Sequence, residues 1–207
     1  MALATYADLT AQFDAFLRRT VGAARALDMV QLCETELRQT LRVREMESAQ
    51  DVTIAVGTQT SALPTGYVGM RRFYISADPV RQLTYLPPEN FWAMYTTTIR
   101  GEPRNFTVEG DNFVFGPIPD GAYTAKALIW RLTAFTSSSA VPSLFTNHPA
   151  LYLAGGLVQS EHFYGRSDEW DQWVAWYGDA IAKVRRSNIR DRIGSGPHRA
   201  RSDFASV

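Results

Sequence analysis

Between Val108 and Trp130 the chain reads VEGDNFVFGPIPDGAYTAKALIW and is punctuated twice. Glu109-Gly110-Asp111-Asn112 joins two short runs rich in Phe and Val, and Gly116-Pro117-Ile118-Pro119-Asp120-Gly121 leads into a longer run ending at Ile129-Trp130. Glycine and asparagine tolerate positive φ and proline presets φ near −65°, so both segments have a physical reason to turn. Connections this short cannot carry parallel crossovers. The strands from Asn105 to Leu132 are therefore expected to form an antiparallel meander.

Helical spacing governs the flanks. Thr5, with Asp8 three residues on, is a predicted N-cap. Tyr6, Leu9, Phe13, Phe16 and Leu17 then form one apolar stripe, which Gly22 is expected to break. A second helix is predicted from about Ala24 to Leu41, with Leu27, Val30, Leu37 and Leu41 on one side. From Arg42 to Gln82 the period changes: Val52, Ile54 and Val56 alternate with Thr53 and Ala55, and Arg72-Phe73-Tyr74-Ile75 reads as a further strand. Pro87-Pro88 opens a short helix carrying Phe91, Trp92 and Tyr95, because proline fits a first helical turn.

After a Ser/Ala loop at Ser137–Val141, Asn147 is placed as the cap of a third helix, with His148 in its first turn. Leu151 to Val158 is apolar all round, the pattern of a central buried helix. Gly155-Gly156 within it costs about 1 kcal/mol per glycine relative to alanine, a loss usually offset by another element packed on the bare backbone. Gly165 should end that helix and Ser167 cap the next, with Asp168, Glu169 and Asp171 in its first turn, where the dipole favours acids. Trp170, Trp173, Val174, Tyr177, Ile181 and Val184 make its expected stripe, leaving Trp176 off it. Beyond Arg190 the pattern lapses into a predicted flexible tail.

The fold class expected is α+β: a helical bundle core of about four helices, an inserted antiparallel β-rich subdomain and a flexible C-terminal tail. The expected boundaries are 1–42 for the N-terminal core helices, 43–136 for the insertion, 137–190 for the C-terminal core helices and 191–207 for the basic tail.

With 207 residues and 45% apolar content the chain can bury a real core. Its 21 basic and 21 acidic side chains cancel, so whole-chain charge gives no argument for a nucleic-acid or membrane binder. Their distribution is uneven. Residues 183–207 hold Lys183, Arg185, Arg186, Arg190, Arg192, Arg199 and Arg201 against Asp191 and Asp203, a local +5, which leaves −5 on residues 1–182. All the basic residues except Lys126 and Lys183 are arginine, which suits bidentate contacts, although genomic base composition produces the same bias. There is no basic-then-apolar leader, and no apolar stretch approaches the length of a membrane span. A soluble protein made in a cytoplasm is expected, and the Asn105-Phe106-Thr107 sequon is then chance.

Motifs that would carry chemistry are weak or missing. Cys33 lies among apolar neighbours, where a lone thiol acts as a small hydrophobe. Gly194-Ser195-Gly196 follows no strand and lacks the Lys of a phosphate loop. His148, His162 and His198 lack metal-ligand spacing, and Glu161-His162 lacks a second helical His. Asp168, Glu169 and Asp171 are explained more simply by the helix dipole than by a cation. No catalytic residue, cofactor site or metal site is assigned.

Several strings occur together in a fixed order: Thr5-Tyr6-Ala7-Asp8-Leu9, Leu83-Thr84-Tyr85-Leu86-Pro87, Phe106-Thr107-Val108-Glu109-Gly110, Gly116-Pro117-Ile118-Pro119-Asp120-Gly121-Ala122-Tyr123, and Pro149-Ala150-Leu151-Tyr152-Leu153-Ala154-Gly155-Gly156-Leu157. With them the chain resembles the head-to-tail adaptor (connector) proteins of tailed bacteriophages, best from Pro103 to Val184. The resemblance implies a non-enzymatic virion protein of the neck, synthesised in the host bacterial cytoplasm. It implies a ring, commonly a dodecamer, beneath the portal protein, with DNA passing through its channel without specific binding. The implied partners are portal, neighbouring copies, and a downstream stopper, nozzle or tail protein, with no membrane.

By position alone, the tail residues Arg185, Arg186, Arg190, Arg192, Arg199, Arg201 and Phe204 match the arms that grip portal in such proteins. Phe91, Trp92, Tyr95 and Trp176 are candidates for subunit contacts, because Trp and Tyr anchor interfaces. The alternatives are another neck or tail-completion (stopper) protein, a small enzyme, or a small DNA-binding module. A DNA binder would need a basic face on the folded part, whereas residues 1–182 are net acidic.

Overall fold

The computed structural model describes residues 3–95, 98–136 and 141–193, with side chains as far as Asp191. The fold is α+β, and the chain divides into two compact units: residues 1–33 with 147–207, and residues 34–146.

The first unit is helical. Its α1 (Tyr6–Leu17) opens on a capping box in which the Thr5 hydroxyl accepts from the Asp8 N–H at 3.1 Å and the Asp8 carboxylate accepts from the Thr5 N–H at 2.9 Å. Leu9 and Phe13 are its buried residues. The helix stops at Leu17 rather than at Gly22, because Arg18 adopts the left-handed conformation (φ 51°) and returns its N–H to the Asp14 carbonyl. Asp14 also accepts from the Val21 N–H at 2.7 Å, which fixes the turn into α2 (Ala23–Thr40).

Further along, α3 (Pro88–Met94) and α4 (Ser143–Asn147) precede α5 (Pro149–Gln159), α6 (Glu161–Tyr164) and α7 (Trp170–Ile193). Asn147 therefore ends α4. His148 takes the N-cap position of α5 without a side-chain cap, and Pro149 supplies the preset first turn. Every residue of α5 from Leu151 to Leu157 is buried. Its two glycines are what allow this. A Cβ on Gly155 would meet the Cys33 thiol and the Tyr177 ring, and one on Gly156 would meet Phe13.

The seam that α7 buries is Trp173, Tyr177, Ala180 and Val184, while Val174 is exposed. The acids also fall differently from expectation. Asp168 and Glu169 precede α7, where the Ser167 and Glu169 carbonyls receive the Trp170 and Trp173 N–H groups, and Asp171 alone of the three lies in its first turn.

The second unit contains two four-stranded sheets. In chain order the strands are β1 (Glu47–Ile54), β2 (Thr60–Ala62), β3 (Tyr67–Ile75), β4 (Arg81–Gln82), β5 (Thr84–Tyr85), β6 (Arg100–Gly101), β7 (Asn105–Glu109), β8 (Asn112–Gly116), β9 (Ile118–Pro119) and β10 (Tyr123–Arg131). One sheet has the order β1-β10-β3-β4 and the other β2-β8-β7-β5, with a two-stranded pair β6-β9. The β7–β8 hairpin forms as expected around Gly110, whose φ of 54° the turn requires.

The three-stranded meander does not form. After β8 the chain leaves that sheet, β9 pairs in parallel with β6, and β10 becomes a central strand between β1 and β3. Pro117 and Pro119 cannot donate ladder hydrogen bonds, so the second turn ends one sheet and delivers the chain to the other. A short parallel pair, β5 with β7, also departs from the antiparallel expectation.

Alternation on both sheets points apolar side chains into one core. Val52, Ile54, Phe73, Ile75, Ala125, Ala127 and Ile129 of the first sheet meet Phe106, Phe113 and Phe115 of the second. The Phe73 centroid lies 5.0 Å from both Phe106 and Phe113, within the range of favourable aromatic pairs. On the outer side of β7 and β8, α3 buries Phe91 and Tyr95 with Val114. The C-terminal half of α2 is tied to the segment after β10: Arg38 donates to the Leu132 carbonyl at 2.9 Å, and both carboxylate oxygens of the buried Glu34 accept from the Phe135 N–H at 3.0 Å.

Candidate assembly surfaces

The side chains exposed to partners include aromatic and basic ones. Among the four aromatic candidates the structure separates core from surface. Phe91 is wholly buried, and Tyr95 nearly so. The Tyr95 ring covers Gly116, leaving 2.5 Å between its Cδ2 and the place a Cβ would take, and its hydroxyl donates to Asn105 Oδ1 at 2.5 Å. Burial pushes the Tyr95 phenol above its ordinary pKa. Trp92, one residue off that inward side, is 41% exposed, and its indole N–H donates to Glu109 at 2.5 Å. That bond ties the exposed ring to the end of β7. Trp176 is half-buried, and its ring lies 5.9 Å from that of Phe16, itself 40% exposed. Sequence periodicity put Phe16 on the inner stripe of α1 and so missed it as part of a surface aromatic pair.

Beside Trp176 a cavity of about 190 Å³ is lined by His148, Ala150, Ala180, Lys183 and Val184 among others. The basic residues continue down α7. Arg185, Arg186 and Arg190 are exposed, and Lys183 lies 3.9 Å from Asp179. Past Val184 the positions that would carry on the buried seam hold Ser187, Asn188 and Asp191, so α7 loses its apolar side where its arginines begin. Arg192 belongs to α7, but its side chain lies outside the described residues, as do Arg199, Arg201 and Phe204.

Other arginines of the helical unit are committed to stacking. Arg19 lies over Tyr164 and Arg25 over Phe163, each at 4.6 Å, and Arg166 over Trp170 at 4.2 Å. Arg166 also pairs with Asp171 at 2.5 Å, and Arg18 with Glu169 at 3.7 Å, so two of the three acids before and within α7 face cations of the same unit. The Cys33 thiol is buried, 3.8 Å from the Tyr177 hydroxyl. Among the described residues no cluster of three or more His, Cys, Asp or Glu is placed to hold a metal, and no helix is long and apolar enough to cross a membrane.

The helical unit thus carries a surface aromatic pair and a basic helix end, and the β-rich unit an exposed Trp92. The chain belongs to the SU10 adaptor protein family, whose model matches residues 4–201. It is thus a bacteriophage adaptor, a component of the virion. No curated protein matches it.

Proposed function

We propose that the protein is a head-to-tail adaptor that forms a ring, of twelve copies, under the portal and continues the DNA channel toward the tail. Membership of the adaptor family over nearly the whole chain is the observation that carries this reading. In it, α1, α2, α5 and α7 serve as a four-helix core, and residues 43–136 are a β-rich insertion in it. Trp92 and the Phe16–Trp176 pair are the aromatic surfaces offered to neighbours, and the arginines of α7 lead toward portal. The net acidity of residues 1–182 suits a channel through which DNA slides, because an arginine-lined lumen would hold the duplex through counterion release. A downstream stopper, nozzle or tail protein would occupy the opposite end.

Deleting residues 191–207 tests the portal end. The truncated protein should keep its circular dichroism and its melting transition yet fail to attach to assembled portal. Attachment at wild-type strength would refute the assignment of the tail to portal.

A further inference from the structure

The cavity of about 190 Å³ beside Trp176 lies within the helical unit and joins an apolar floor to a cationic rim. Pro149 and Leu151 at the start of α5, with Trp176, Ala180 and Val184 of α7, supply the floor, and exposed Lys183 stands at the rim. An apolar cavity of about 150 Å³ is large enough to hold a benzene ring, so this one suits a single phenyl side chain.

The chain carries such a group within reach. Past Ile193, where the described residues end, Phe204 is the one aromatic residue, and Asp203 precedes it with the charge that Lys183 lacks. Gly194, Gly196 and Pro197, just beyond the helix, are residues with which helices end and chains reverse. The nine residues from Val184 to Ile193 cover about 14 Å of helix. The eleven from Ile193 to Phe204 can span about 36 Å, more than enough to return along α7.

We infer that in the free subunit the C-terminal segment folds back and seats Phe204 in this cavity against Trp176, with Asp203 at Lys183. The occupant is the subunit's own segment, because its tether sets an effective concentration that separate copies in dilute solution do not reach. Ordering the segment offsets most of what burying one ring gains, so the melting transition survives its removal. Portal competes with the cavity for the same segment, which stays sheltered until portal is met. That release rests on the portal reading given above; the docking does not.

Ala150→Cys combined with Ala205→Cys, in the full chain and diluted until monomeric, tests the docking. Ala150 is exposed at the cavity, and the native Cys33 is buried. Circular dichroism checks each fold. Mild oxidation should form an intramolecular disulfide, seen as a faster band in non-reducing electrophoresis. Adding Phe204→Ser should slow its formation about tenfold, because the tether remains while the docking is lost. Lys183→Glu should slow it too, and Asp203→Lys should then restore the rate. An unchanged rate with Phe204→Ser, or a disulfide found only between copies, overturns the docking and leaves the adaptor reading standing. In a second measurement the reduced pair should bind assembled portal, and the oxidised pair should bind about tenfold more weakly, since its binding-competent state is withheld. Equal binding of the two forms overturns the release, whereas a reduced protein and a wild type that both ignore portal overturn the portal reading itself.

Discussion

The Phe13 ring occupies the space into which a Cβ on Gly156 would project, with its Cε1 2.7 Å from that point. Phe13 is completely buried, so it has little room to yield. Gly178 in α7 is the converse: it is exposed, and a Cβ there meets nothing within 4 Å. Gly156→Ala should lower stability, since overpacking costs about 1–3 kcal/mol and outweighs the gain of about 1 kcal/mol in helix propensity. Gly178→Ala should raise stability by about 0.5–1 kcal/mol. Thermal melts of the two variants check the opposite signs.

Glu34 is 2% exposed, and its carboxylate holds the Phe135 N–H that follows the last strand. Glu34→Ala strands that buried donor, and an unsatisfied buried donor costs about 1–3 kcal/mol. A loss of that size is expected in urea unfolding, with the m-value unchanged.

The Asp8 carboxyl is held below its ordinary pKa, first by the Thr5 hydroxyl and then by the Thr5 and Ala4 N–H groups. A carboxylate with a depressed folded pKa stabilises the fold above the ordinary carboxylate range, and that contribution is lost as pH falls through the folded value. NMR titration should show the Asp8 pKa rising toward normal in Thr5→Ala, and acid unfolding of that variant should begin at higher pH than in wild type.

Trp92 in α3 and Tyr95 at its C-cap have different fates. Trp92→Ala removes an exposed ring and should leave the melting temperature nearly unchanged while weakening assembly. Tyr95→Ala opens a hole over Gly116 and should destabilise the subunit itself by about 3 kcal/mol, in the range of buried aromatic truncations. Melting curves and assembly measured side by side separate the two.

Helix content was largely readable from spacing and caps: the Thr5–Asp8 box, the α5 core and the need for something to cover Gly155 and Gly156. The hairpin at Gly110 was readable too. The route of the chain after Gly116 was not, because turn chemistry says where a strand ends and not which sheet the next one joins. Ala125, Ala127 and Ile129 alternate identically in either arrangement. The inward side of α3 was there to be seen in the four-residue spacing of Phe91 and Tyr95, with Trp92 off it. Buried Glu34 could have been found the same way, since it shares the apolar side of α2 with Val30, Leu37 and Leu41.

The central claim is the ring, and the most direct measurement is the mass of the protein mixed with assembled portal, by native mass spectrometry or mass photometry, beside the protein alone. The account predicts a defined, closed number of copies bound per portal, twelve under the proposed ring. A protein that remains monomeric and unbound in the presence of portal contradicts it.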